Sequence, residues 1–468
     1  MAKTNVSEEL AEKVLRIYKE KTVKESDVEE IKDLIDRGAN VNTYRNEYGS
    51  SLLHCAVCKG ISPSKLMEKI VKIIIKAGFK VNAINDRGES PLLYAVETGN
   101  MTFVKQLLDA GADVNLQSYS GCTALYVAVM TKNIKIAEHL INKGADLNAQ
   151  DRINRDTPLH LSVKNNDVRI VKLLLKYKAN PDIIDYYCYA PLHTAVCNNN
   201  KAIVELFLKN RANIEITSGS NCTPLFIAVD LNNKAITKML LDNGAKVNKL
   251  GGLEGNTPLH AAVKNRNLAI AKLLVDAKAN LKKKNRVGMT PLHMAAESGQ
   301  CKLAKLLVQN GADPSIKDKE GKTPLHLAIE NSREKLTGYL LGIDADQYIP
   351  YKNRHKLLYL AAHKGNRRII KVLLSKGYDL TKRDSYGVTA LDILFFKGHA
   401  DILIDFFKNA EIINRHIGYI NGCLKTLKIY HTEAYAKFYD HIQQLQTQAT
   451  LDREDVHKSD ATGFEYDI

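Results

Sequence analysis

Six of the fourteen histidines, His54, His160, His193, His260, His293 and His326, close one short motif that reads TPLH in four places. Histidine gains and loses a proton near neutral pH, which makes it the first candidate for general acid–base chemistry. A catalytic histidine, however, is needed once, in one pocket. A histidine that returns with a repeat is expected to bond backbone and its neighbouring Thr instead. Cys55 and Cys58, directly after His54, have the C-x-x-C spacing of redox and zinc sites. No second ligand pair follows at zinc-site spacing, and both thiols are expected on the first helix of a repeat. The chain carries no phosphate-binding loop, nucleophile elbow, H-E-x-x-H or dinucleotide fingerprint. No catalytic residue, cofactor or metal site is nominated, and no enzyme activity is expected.

The elements that carry these histidines recur. TPLH and its relatives SPLL, TALY, APLH and TPLF place their second residue at 91, 124, 158, 191, 224, 258, 291 and 324, in steps of 33 or 34. A second landmark keeps the same beat: GANVN at 38–42, GADVN at 111–115, GADLN at 144–148 and GAKVN at 244–248. In each unit, the Thr can cap a helix whose first turn accepts Pro, because Pro lacks only an N–H that would be unpaired there. Gly99, Asn166, Asn199, Asn232, Gly299, Gly365 and Gly398 stand where that helix must end. These types best tolerate a left-handed C-cap. A longer helix follows, with Val168, Ile170, Val171, Leu174 and Leu175 at helical spacing. Gly-Ala then stops it, and a polar hairpin leads on. Lys178, Arg211 and Lys278 replace that Gly, at a cost of about 1 kcal/mol for a left-handed residue with a side chain.

A period of 33 built from G-x-T-P-L-H-x-A, a leucine-rich helix and G-A-D-V-N resembles the ankyrin repeat. The resemblance covers roughly residues 25–410. It implies an all-α solenoid of helix–turn–helix repeats joined by short β-hairpin loops, elongated and curved, with about eleven units of which the first and last are degenerate. Residues 1–24 are read as an N-terminal capping helix with Leu10, Val14 and Ile17 on one face, and Ser26-Asp27-Val28-Glu29 as the capping box of the next helix. Residues 411–448 are read as a C-terminal helical hairpin, with Ile413, Ile417, Ile420, Leu424 and Leu427 in one stripe and Tyr435, Phe438, Ile442 and Leu445 in another. Residues 449–468 form a polar, acidic tail expected to be disordered.

The chain has no apolar run long enough to span a bilayer and no secretory leader. Its eight cysteines form no disulfide framework, so a cytoplasmic location is expected, or a host cytoplasm if the chain is an exported effector. The net charge of +15 raises nucleic acid or an anionic surface as an alternative partner. The lysines are instead scattered along the outer helices, and the one dense run is Lys282-Lys283-Lys284-Asn285-Arg286. Nucleic acid is therefore not the expected partner. A monomer that binds a protein is.

The resemblance implies that partner contacts use the residues just before TPLH and two positions near the end of the first helix. On this sequence those positions include Tyr119, Tyr186, Tyr187, Tyr189, Lys164, Asn198, Arg286, Met289 and Glu297, with Ile153 among their neighbours on the same face. Tyr brings large apolar area and a hydroxyl at low rotamer cost, which suits an anchor. The three tyrosines of DYYCYAPLH (185–193), with Tyr119 and Met289, are expected to form one central anchor rimmed by charge.

Overall fold

Thr157 opens a helix at Pro158–Lys164 and accepts the backbone N–H of His160 with its own hydroxyl, so the motif starts its helix as its residue types require. Asn166 ends that helix in the left-handed region at φ 54°, and Val168–Lys176 returns antiparallel to it. In a computed structural model of the chain this helix pair recurs along the sequence. The structure describes residues 6–20, 22–58, 64–349, 351–384, 386–408 and 410–461. The chain divides into two compact units, Met1–Leu253 and Glu254–Ile468. Within each, first (inner) helices pack on inner helices and second (outer) helices on outer ones. The outer helix Val168–Lys176 alone buries Ile170, Val171, Leu173, Leu174 and Leu175. Each such side chain contributes about 1.5–3 kcal/mol that a lone repeat could not collect.

All seven Gly and Asn residues expected at inner-helix ends have positive φ. Lys132, Arg266 and Ser332 adopt the same conformation at the equivalent place, as do Lys178, Arg211 and Lys278 after the outer helices. Stacking therefore imposes the bend whether or not the local residue favours it. The Asn that ends GADVN also has a job visible only in three dimensions. Asn115 Oδ1 accepts the N–H of Asp146 at 2.7 Å, Asn148 that of Asn180 at 2.8 Å, and Asp182 that of Asn213 at 2.8 Å. This ladder of Asn and Asp side chains sews one repeat to the next.

At the N-terminal end, Val6–Glu20 packs on both Glu25–Asp36 and Leu52–Val57, the place an inner helix takes, and buries Leu10, Val14 and Ile17. The expected capping box is corrected here. The second helix starts at Glu25, and Asp27 rather than Ser26 makes the cap, accepting the N–H of Lys24 at 2.8 Å. Asp27 is buried and paired with Lys13 and Arg16. At the other end, helices Ala410–Tyr430 and Thr432–Ala461 pack together and bury Ile420, Leu427, Phe438 and Ile442. The side chains of Ile413 and Ile417 lie outside the described residues. The last helix runs through 449–461, the first part of the stretch read as a tail, and 462–468 lie outside the described residues. Among the described residues no strand forms.

Candidate partner-binding face

The hairpins are closed by one short backbone pair each, such as Asp185 N to Tyr189 O at 2.9 Å. Neighbouring tips are then joined by a further bond: Tyr119 N to Arg87 O, Arg152 N to Ser120 O and Tyr186 N to Asn154 O, at 2.8–2.9 Å. In the first unit, three consecutive tips, 118–121, 151–155 and 185–188, consequently form one continuous edge. On it stand Tyr119 (59% exposed), Ile153 (70%), Tyr186 (67%) and Tyr187 (66%). Tyr186 and Tyr187 meet edge to face, with ring centroids 5.4 Å apart. Tyr119 approaches the preceding tip closely: a Cβ on Gly88 would come within 2.6 Å of its Cδ1.

Beneath the exposed side chains the tips are braced by buried polar groups. Asp185 Oδ1 accepts the N–H groups of Tyr187 and Tyr189 at 2.9 and 2.8 Å. His160 Nε2 donates to the carbonyl of Tyr189 at 3.1 Å, while its Nδ1 accepts from the Thr157 hydroxyl and N–H. Burial lowers the His160 pKa, so the imidazole works as a neutral strut. Four of the other motif histidines do the same: His54, His193, His260 and His293 reach Glu89 O, Cys222 O, Met289 O and Lys322 O. In TALY a tyrosine takes the place of the histidine. Tyr126 Oη donates to Asp151 Oδ2 at 2.9 Å, and Asp151 Oδ1 collects the N–H groups of Asn154 and Asp156. Asp151, Tyr126 and Asp185 are thus the supports of this face. The signal in the sequence was the departure of TALY from TPLH.

The expected contact residues divide into three groups. Tyr119, Tyr186 and Tyr187 are exposed on the shared edge. Tyr189 is half-buried, its ring 5.4 Å from that of His193, and burial raises its hydroxyl pKa. Lys164, though exposed, bonds both oxygens of buried Asp156 at 2.7 Å and stands 3.8 Å from Asp185, so its charge is paired with two carboxylates of this chain. Asn198 donates to Val163 O at 3.1 Å across the repeat junction. Arg286, Met289 and Glu297 belong to the second unit. There Met289 and Glu297 line a cavity of about 390 Å³ with Asp318, Lys322 and Glu330. Arg286 lies over Gly255, and its N–H bonds Glu254 O at 2.9 Å. In the basic run, Lys282 stands 3.9 Å from Asp313, and Lys284 donates to Lys317 O at 2.7 Å.

A family model described as ankyrin repeats in three copies matches residues 62–151, 148–218, 198–285, 225–318 and 277–349, together more than half of the chain. The chain belongs to the ankyrin-repeat family. Ankyrin repeats are protein–protein interaction modules. None of the curated proteins compared with the chain matches it. Among solved structures, 612 chains match. One is the crystal structure of the ankyrin repeat domain of Bcl-3, described as a unique member of the IkappaB protein family. It is 29% identical, covers 44% of this chain and 93% of its own, and has a TM-score of 0.42.

In this ankyrin array the thiols after His54 are packing groups. Burial pushes Cys55 up to about 11 and Cys58 to about 12, and the Cys58 thiol donates to Cys55 O at 3.1 Å. Both are therefore protonated thiols at neutral pH. Among the described residues no helix is long and apolar enough to cross a membrane.

Proposed function

We propose that this ankyrin array is a non-catalytic scaffold that binds a protein partner through the hairpin tips of its first unit. The carrying observation is the run of Tyr119, Ile153, Tyr186 and Tyr187 over three consecutive tips, all well exposed on a rigidly braced edge. A contiguous apolar and aromatic surface of this kind is costly in water unless something covers it. Aromatic side chains of low rotamer entropy are the usual energetic centre of such contacts. The second-unit residues Arg286, Met289 and Glu297 are proposed as additional contacts, with Lys164 and Asn198 supporting the first-unit tips. The free state of the seven described cysteines supports a reducing, cytoplasmic setting.

The test is affinity capture from nuclease-treated cytosolic lysate, comparing the intact chain with a Tyr186→Ala, Tyr187→Ala variant. Tyr189 is left in place, because its ring packs on His193 and its truncation would disturb the fold. A protein retained by the first and lost by the second supports tip binding. Equal retention by a variant of unchanged stability refutes it.

A further inference from the structure

The tip at 151–155 is one residue longer than its neighbours: Asp151 N bonds Asp156 O, where the adjoining tips close from Ser118 to Cys122 and from Asp185 to Tyr189. In the longer tip Ile153 is exposed, and Arg155, at φ 57°, takes the left-handed place that Gly121 and Cys188 hold in the adjoining tips. Arg152 and Arg155 are both exposed, and among the described residues neither makes an ion pair. The carboxylates that could have neutralised them face inward. Asp151 takes the Tyr126 hydroxyl, and Asp156 and Asp185 share Lys164. Asp156 and Asp185 are thus answered by Lys164, and the surface above keeps two unanswered guanidinium groups between Tyr119 on one side and Tyr186 and Tyr187 on the other. The hydroxyls of these three tyrosines are also without partners among the described residues.

We infer that the edge formed by tips 118–121, 151–155 and 185–188 takes an acidic peptide segment, with carboxylates on Arg152 and Arg155 and an apolar side chain seated against Ile153 and the tyrosine pair. This deepens the proposed function and rests on it. A guanidinium matches a carboxylate with two parallel hydrogen bonds, and phenolic hydroxyls donate to the same oxygens. Charge complementarity chooses the sign of the partner, and the aromatic area demands apolar contact beside the charge. A nucleic-acid backbone is a poorer match, because it asks for cations spaced along its length. Here the immediately neighbouring tips offer no cation, with Ser118 and Ser120 on one side and tyrosines on the other, and the next cation, Arg87, lies a further tip away.

The experiment pans a phage-displayed random dodecapeptide library against the immobilised full chain. The strongest binder is then labelled with fluorescein and titrated against full-chain variants. Enriched peptides should combine Asp or Glu with an aromatic or aliphatic residue. Arg152→Glu with Arg155→Glu should weaken the labelled peptide by at least about tenfold, and rising salt should weaken it further. Peptides that are neutral or basic, or no enrichment at all, overturn the proposal. If Tyr186→Ala with Tyr187→Ala abolishes binding while the arginine variant binds as before, tip binding stands and the acidic occupant fails. If neither variant matters, both fail. If single-stranded DNA competes with the peptide for the tyrosines and binds more tightly, the occupant is a nucleic acid and the proposal falls.

Discussion

Acidification should unfold this array at a pH where few carboxylates have yet titrated, because its struts are neutral histidines. Burial holds the folded pKa of His54, His193 and His260 at about 4, against 6.5 for a free imidazole. The folded value lies below the unfolded one, so the unfolded chain binds more protons between these limits. The contribution to stability is complete above about pH 6.5 and is lost as the pH falls toward about 4. Between about pH 7.5 and pH 5 each unfolded imidazole gains nearly one proton and each folded one very little, which costs about 2 kcal/mol per histidine. The three together give about 6 kcal/mol, a large fraction of the stability of an ordinary domain. Burial lowers the pKa of His160, His293 and His326 as well, which adds to the effect. It raises that of Asp156, which opposes it. The assay is urea unfolding followed by circular dichroism at the two pH values, with His260→Leu as the internal control; Leu93 already fills this place in SPLL. The variant should be less stable at neutral pH, where it strands Met289 O, yet lose about 2 kcal/mol less on acidification. A midpoint that does not move between the two pH values, or a variant that keeps the full dependence, refutes the strut account.

Lys178→Gly should raise the urea midpoint, relieving about 1 kcal/mol of left-handed strain at φ 69°; a fall would show that the Lys stem packs better than the backbone suffers. Gly88→Ala should cost about 1–2 kcal/mol and weaken partner capture, since the new Cβ would meet Tyr119 N at 2.7 Å on a backbone at φ 72°. Unchanged stability and capture would mean that the Tyr119 tip is soft. Cys55 and Cys58 should react with an aromatic disulfide reagent only on unfolding, because burial keeps both thiols protonated at pH 8. Rapid labelling of the native chain would contradict their place in the core.

The repeat was legible because its residues act locally. Thr caps its own helix, Pro fills the first turn, and Gly or Asn bends the chain where φ is positive. Lys132, Arg266 and Ser332 show the limit of that reading. They take the same bend with no local preference for it, since the packing of neighbouring repeats outweighs about 1 kcal/mol of strain. The tyrosines at tips 118–121 and 185–188 could be placed by their register with TPLH. The role of Lys164 could not, because its partners Asp156 and Asp185 come together only when two hairpins stack. The same holds for the Asn ladder and for the histidine bonds to the next tip, each of which spans about one repeat. The 34-residue step from Ala124 to Pro158 was visible in the sequence, but only the folded tip shows that Ile153 stands exposed on it. Where Phe226 replaces the histidine, the facing loop carries Gly251, whose missing Cβ would sit 2.8 Å from the ring. That is a pairing across a repeat which one-dimensional periodicity does not reveal.

The most direct test of partner binding at the tips is site-specific photo-cross-linking. A benzoylphenylalanine placed in turn at positions 119, 153 and 187 should capture the same partner from lysate. Placed at Lys172, exposed on an outer helix, it should capture none. Cross-links that form at Lys172 and fail at all three tip positions would contradict the account.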